Sequence, residues 1–135
     1  MTTSEVAQAV NSLGTAFLTG DPDVVLNRFA STGEVVYAGS EPGEVAVGRE
    51  AIRSLLEGLF GRAERYSWFT TSVSSVGTSD TLYVVVDANL FVHPVTDGSV
   101  EPAAEKFPYR ISGVLERERA ALRWRLCHGS EPAGG

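Results

Sequence analysis

The sequence has one cysteine, Cys127, and one lysine, Lys106, among its 135 residues. A lone thiol makes no internal disulfide, which excludes the small secreted domains that disulfide bonds hold together. No apolar run reaches the ~20 residues of a membrane-spanning helix. The N-terminus carries Glu5 where a secretory signal peptide carries basic residues before an apolar stretch. These absences predict a cytoplasmic protein that does not enter a membrane.

Basic side chains are also scarce: lysine and arginine number 11 against 17 aspartates and glutamates, a formal net charge of −6. Such a field repels nucleic acids and anionic lipids, so neither is an expected partner. With 2 histidines and no cluster at metal-ligand spacing, we expect no metal. The glycines of residues 39–48 fit neither a dinucleotide-binding nor a phosphate-binding pattern, so we expect no cofactor.

Helical periodicity dominates the first half of the chain. Residues 4–19, 22–29 and 52–60 carry the apolar spacing of amphipathic helices, with a proline opening the second and glycines ending the first and third. Residues 34–39, between the second and third helices, are rich in valine and predict a strand.

After Gly61 the period changes to that of strands. β-Branched and aromatic residues predict four long antiparallel strands joined in chain order, residues 65–76, 81–93, 105–116 and 121–129.

Helices followed by antiparallel strands indicate an α+β class. Long strands twist, so three N-terminal helices wrapped on a curved antiparallel or mixed sheet would enclose a cone-shaped core or pocket. We expect one domain over residues 1–135, with a loose tail over 131–135.

Alternation along residues 81–93 separates an apolar set of side chains from a mixed set. The mixed face joins Tyr83, Val85 and Phe91 with Asp87 and Asn89. A subunit interface or outer surface is the first interpretation, and pocket lining and simple solvent exposure are the alternatives. The interface interpretation predicts a homodimer that pairs through this face.

In the last strand, alternation places Trp124, Leu126 and His128 on the inner face. His128 then points into a cavity or is satisfied by backbone groups at the strand end. Cys127 faces the opposite way, which excludes a Cys–His dyad. Asp87 suits a general base only if burial raises the pKa of its carboxyl; on an outer face it would simply aid solubility.

Aromatic residues are the candidates for ligand contact. Tyr37, Trp68 and Tyr109 lie in strand segments where an inward phenol or indole supplies a hydrogen bond inside an apolar cavity. Trp124 and Asn89 complete the predicted substrate-binding set. Core packing is the alternative role for the aromatic residues.

Two phrases carry a family resemblance. YAGSEPGEVAVGREAIRSLL, residues 37–56, and RWRLCHGSEP, residues 123–132, resemble the SnoaL-like branch of the nuclear transport factor 2-like superfamily. The order of elements resembles that superfamily over nearly the whole chain. The resemblance implies a curled sheet wrapped by helices around a pocket, commonly in a homodimer. Members include ketosteroid isomerases, polyketide cyclases, epoxide hydrolases, dehydratases and non-catalytic binding domains.

This chain departs from two of the family's catalytic patterns. The first predicted helix has no tyrosine, unlike the isomerases, and the Asp-Arg-Asp set of the epoxide hydrolases is not assignable, although Asp87 and Arg110 lie on neighbouring predicted strands. The resemblance to cyclases nominates His128 or Asp87 as the base.

Two functions remain open at this point. The first is a cofactor-free isomerase, cyclase or hydrolase for a small apolar carbonyl-type molecule, with His128 or Asp87 as base and Tyr37 or Tyr109 as oxyanion donor. The second is a non-catalytic ligand-binding or dimeric interaction domain whose cavity is filled by aromatic side chains such as Trp68 and Trp124.

Overall fold

The computed structural model describes residues 2–132. Its elements in chain order are α1 (Thr2–Thr19), α2 (Pro22–Leu26), β1 (Val36–Ala38), β2 (Val45–Val47), α3 (Arg49–Phe60), β3 (Glu64–Gly77), β4 (Thr81–Thr96), β5 (Ser99–Val100), β6 (Glu105–Glu118) and β7 (Ala121–Ser130). No helix within the described residues is long and apolar enough to cross a membrane. The tail predicted over residues 131–135 falls mostly outside the described residues.

The strands form one curved mixed sheet in the order β2-β1-β7-β6-β4-β3, with β5 paired to the end of β4. All described pairings are antiparallel except that of β1 with β7. The helices pack on one face of this sheet, with α1 against β3. The predicted α+β class, with N-terminal helices on a curved sheet, is confirmed.

A glycine and an arginine from the first family-like phrase fix where α3 begins. Gly48 has φ +93°, a left-handed conformation that favours glycine, directly before the helix. The Arg49 guanidinium donates to the carbonyl oxygens of Ala30 at 3.0 Å and Leu26 at 3.2 Å. These bonds satisfy carbonyls at and after the end of α2 and tie the two helices together.

The central strand β4 supplies the core as its alternation predicts. Its apolar face is buried throughout, and Val86 is 0% exposed. The mixed face lies on the side of the sheet away from the helices, where Tyr83 is 57% and Val85 is 48% exposed. The pocket-lining interpretation of this face is therefore wrong, whereas its exposure fits both the interface or outer-surface interpretation and simple solvent exposure.

Strand β7 contains a bulge that the sequence pattern did not reveal. Val114 of β6 pairs with Leu126, whereas its neighbour Leu115 pairs with Trp124, so Arg125 has no partner of its own in the register. The Arg125 guanidinium points outward and donates to the carbonyl oxygen of Glu34 at 2.7 Å.

The bulge inverts every side chain that follows it. Cys127 is 2% exposed and points inward, while Leu126 and His128 are exposed on the outer face. The prediction that Leu126 and His128 face inward is therefore wrong, because one inserted residue shifts the alternation by one position. Cys127 and His128 still lie on opposite faces, as expected.

Candidate functional site

A cavity of about 300 Å³ opens between the helices and the concave face of the sheet. Its deep wall comes from α1, α3, β1, β3, β4 and β6, so it lies inside the cone that the helices and the sheet form. The apolar residues that line it are Phe17, Tyr37, Leu59, Tyr66, Trp68, Leu90, Val92, Phe107 and Tyr109. The aromatic side chains surround this space without filling it.

Four aromatic rings form a continuous wall. Ring centroids lie 5.7 Å apart for Tyr37 and Phe17, 4.8 Å for Phe17 and Trp68, and 6.1 Å for Trp68 and Tyr109. Trp68 on β3 and Tyr109 on β6 flank β4, and Tyr109 lies opposite the small Ala88. Trp68 lies opposite Leu90, so the two rings meet diagonally across β4.

The polar edge of Trp68 is already satisfied outside the cavity. Its indole Nε1 donates to the carbonyl oxygen of Val10 in α1 at 2.8 Å. Gly14 of the same helix packs directly on the backbone of Trp68, where even a methyl group would lie within 2.8 Å of the carbonyl oxygen. Trp68 therefore contributes aromatic surface to the cavity and no free donor.

Two tyrosine hydroxyls give the cavity its hydrogen-bonding capacity. Tyr37 is 7% exposed, and its hydroxyl has no hydrogen-bond partner among residues 2–132. Burial raises the pKa of both Tyr37 and Tyr109. Both phenols therefore stay protonated at neutral pH and can donate a hydrogen bond.

Glycine at position 129 makes room for the second hydroxyl. A Cβ there would overlap the Tyr109 hydroxyl oxygen. Gly129, on the inner face of β7, thus leaves the space that the Tyr109 hydroxyl occupies.

Carboxylates surround the mouth. Five glutamates line the cavity, and among the described residues that line it there is no lysine, arginine or histidine; the five are Glu41, Glu44, Glu64, Glu105 and Glu131.

Glu44 is the most enclosed of these five glutamates: its side chain is 15% exposed, whereas the other four residues are exposed. Its Oε1 accepts from the backbone N–H of Glu41 at 3.2 Å. Arg62 sits beside the mouth, 3.3 Å from Glu41 and 3.9 Å from Glu44. After burial, the negative charge of Glu44 is one of the further causes that raise the pKa of Tyr37 and Tyr109. A carboxylate thus lies within electrostatic reach of both phenols.

The structure brings three of the predicted site residues together, because Tyr37, Trp68 and Tyr109 share the aromatic wall. Trp124 is buried but lines a different hollow, beside Arg28. Trp124 therefore lies outside the aromatic cavity, because its backbone pairs with Arg28 and Ala30 in the segment after α2.

The remaining predicted residues lie on the outer face. The Asp87 carboxylate accepts from Nε of Arg110 at 2.9 Å and is 49% exposed, so it is not the buried acid that a base at this position requires. Asn89 shares that face by alternation, and His128 is turned outward by the bulge. None of the three lines the aromatic cavity.

Sequence reasoning missed the glutamates of the mouth. The predicted topology nevertheless contains a signal for three of them. Glu64 begins β3, Glu105 begins β6 and Glu131 follows β7. In a run of antiparallel strands these three positions fall at one end of the sheet.

Comparison with known proteins agrees with this architecture. The family model of the SnoaL-like domain matches residues 6–133. No curated protein matches the chain.

Solved structures share the fold at low identity. A candidate dehydratase of the nuclear transport factor 2-like family from Streptomyces avermitilis is 20% identical over 97% of this chain and 96% of its own, with a TM-score of 0.74. A nuclear transport factor 2-like protein from Salmonella enterica is 15% identical over 98% and 92%, with a TM-score of 0.73. A candidate scytalone dehydratase from Novosphingobium aromaticivorans is 11% identical over 98% and 93%, also with a TM-score of 0.73.

Proposed function

We propose that this chain, which belongs to the SnoaL-like domain family, binds a small organic molecule in the aromatic cavity and acts on it by general acid/base chemistry without a cofactor. The observation that carries the proposal is Tyr37, whose protonated phenol lines the cavity and makes no hydrogen bond to another residue of the described range 2–132. A phenol hydroxyl that lines an open cavity can donate a hydrogen bond to an oxygen atom of a bound molecule.

The chemistry follows from the groups that share the cavity. Tyr37 donates to the carbonyl oxygen of the bound molecule, and the Glu44 carboxylate takes a proton from the carbon beside that carbonyl. The electron pair moves onto the oxygen, where the Tyr37 hydrogen bond stabilises the developing charge. If the molecule has a carbon–carbon double bond next to the deprotonated carbon, returning the proton to the far end of that double bond isomerises the molecule. If the next carbon carries a hydroxyl, the electron pair of the enolate instead breaks the carbon–oxygen bond, and the hydroxyl takes the proton from Glu44 and leaves as water. The candidate dehydratases among the structural relatives favour the second outcome.

Measuring both binding and turnover separates the role of Tyr37 as hydrogen-bond donor from that of Glu44 as base. We expect a small hydroxy-ketone to raise the melting temperature and to shift the NMR signals of Trp68. Tyr37→Phe should weaken binding about threefold to tenfold, as loss of one hydrogen bond implies. Glu44→Gln should abolish turnover while binding persists. Tyr83→Phe, which removes a hydroxyl from the outer face, is the matched control and should change neither.

The proposal fails if the protein melts cooperatively and no carbonyl, steroid, polyketide or epoxide compound stabilises it. Its catalytic part fails if a ligand binds but the Glu44→Gln variant turns it over at the wild-type rate.

We also propose that the protein is located in the cytoplasm. The buried, unpaired Cys127 is compatible with that location.

A second candidate function is favoured by the outer face of the sheet. Phe69 is 61%, Tyr83 57% and Val85 48% exposed. Exposed aromatic and branched side chains on a long sheet are typical of surfaces that pair with protein. We propose that two copies of the chain pair through this face. The cavity opens on the opposite face, so a homodimer would leave it free to bind.

A further inference from the structure

Resting on the proposed binding in the aromatic cavity, we propose that the bound molecule carries a positively charged nitrogen, an amine or quaternary ammonium group on an apolar body. Two independent features of the cavity point to this class: the charge of its mouth and the aromatic surface of its wall.

The mouth of the cavity carries mainly negative charge. Five of the 17 acidic residues in the sequence converge there, while the chain's 11 basic residues contribute none of the described lining. Arg62 pairs with Glu41 and Glu44, and the described salt bridges include none for the other three glutamates. Low-dielectric walls concentrate such a field, so an entering carboxylate or phosphate would be repelled and a cation attracted.

The wall behind the mouth suits the same group. Trp68 offers its ring and not its N–H, because Val10 already accepts that donor. The faces of aromatic rings carry negative quadrupole charge and attract cations within about 6 Å, most strongly when water is excluded. Phe17 and Tyr109 lie in contact with Trp68, so the cation would meet several rings within one cavity.

The tyrosines fit this assignment. Burial keeps the Tyr37 and Tyr109 phenols protonated, so they supply hydrogen bonds and ring surface and do not neutralise the cation themselves. The carboxylates at the mouth supply the countercharge. A molecule with an oxygen at its inner end and a charged nitrogen at its outer end would use both parts of the cavity.

Three probes of similar size test the charge directly. Benzyltrimethylammonium is a cation, benzylacetone is a neutral ketone and hydrocinnamate is an anion. Their dissociation constants can be measured by NMR titration of the full chain, following the Trp68 indole N–H signal. We expect the cation to bind about tenfold more tightly than the ketone, and the anion to bind more weakly than both. Added salt should weaken binding of the cation and leave the affinity for the ketone unchanged.

Matched variants locate the effect. Glu64→Gln with Glu105→Gln removes two charges from the mouth, and Glu50→Gln with Glu57→Gln removes two from the exposed face of α3. The first pair of substitutions should weaken binding of the cation about threefold to tenfold, strengthen binding of the anion and leave the affinity for the ketone unchanged. The second pair should leave all three probes unchanged.

The outcomes separate this inference from the function on which it rests. If benzylacetone binds and the cation binds no better, the cavity is a small-molecule site and the charge assignment is wrong. The same conclusion follows if both variant pairs weaken the cation equally, because the effect then comes from net charge alone. If no probe perturbs Trp68, the proposed binding function and the inference fall together.

Discussion

Replacing Gly14 by alanine tests how tightly α1 must approach the wall of the cavity. Alanine in place of a helical glycine normally stabilises by about 1 kcal/mol. At position 14 the new methyl group would lie 2.8 Å from the carbonyl oxygen and 2.9 Å from the nitrogen of Trp68, both backbone atoms. Relieving such overpacking typically costs about 1 to 3 kcal/mol.

The helix cannot retreat without further loss. Trp68 Nε1 donates to Val10 at 2.8 Å, and the Thr70 N–H donates to Oδ1 of Asn11 at 2.9 Å. Each of these bonds contributes on the order of 1 kcal/mol, and a shift of α1 would strain both. The clash therefore outweighs the propensity gain, and we expect Gly14→Ala to lower the free energy of unfolding by about 1 to 2 kcal/mol.

Gly58→Ala is the internal control, because Gly58 is also helical and its new methyl group would meet no atom within 4 Å outside the adjacent backbone of its own helix. It should stabilise by about 0.5 to 1 kcal/mol, opposite in sign to Gly14→Ala. Urea unfolding of both variants gives the two values, with about 4 °C of melting temperature expected per kcal/mol. If Gly14→Ala is as stable as the wild type, α1 can move freely and the argument for a fixed cavity wall fails.

Two further predictions concern the outer face and acid stability. Val85→Arg should leave the melting temperature nearly unchanged but weaken the proposed homodimer at least about tenfold by light scattering, because pairing would bury an unpaired charge; the same change at the exposed Val45 of β2 should not. The Ser31 N–H, 2.7 Å from Oε2 of Glu118, is the largest of the causes that lower the pKa of that carboxyl. The stabilisation from this hydrogen bond is present above the unfolded-state pKa of about 4.3 and is lost as pH falls through the lower folded-state pKa. In urea titrations, the difference in stability between the wild type and Glu118→Gln should therefore disappear between about pH 5 and pH 3.

Local patterns were sufficient to predict the larger elements. Apolar spacing predicted α1 and α3, and β-branched runs predicted the four long strands in their order. The second helix ends at Leu26 and not at residue 29, because the chain beyond it joins β7: the Ala30 N–H donates to Trp124 O at 2.8 Å and the Trp124 N–H donates to Arg28 O at 2.9 Å. Pairing between segments so distant in sequence overrides helical propensity, and no local window reports it.

The candidate site was predictable only in its aromatic part. Tyr37, Trp68 and Tyr109 face inward, as alternation or apolar context predicts, because the register shift of β3 lies beyond Trp68, between Thr70 and Ser72. The acidic mouth depends on strand ends that meet only after the sheet is assembled. Glu44 depends further on a loop whose path is set by its contact with the Glu41 N–H. Residues on loops and strand ends were therefore the ones missed.

The bulge at Arg125 explains why strand alternation predicts the wrong face for His128. Alternation is exact only while every residue of a strand has a partner, and Arg125 has none. Its guanidinium is held outside by Glu116 at 2.7 Å and by the carbonyl oxygen of Thr32 at 2.8 Å, which stabilises the bulged arrangement. Arg125, between Trp124 and Leu126, would point outward both in a regular strand and in a strand with a bulge at this position. The sequence pattern alone therefore does not distinguish the regular strand from the bulged one. The same bulge that turns His128 outward brings Gly129 under the Tyr109 hydroxyl, and so the register shift helps to build the cavity that the histidine does not enter.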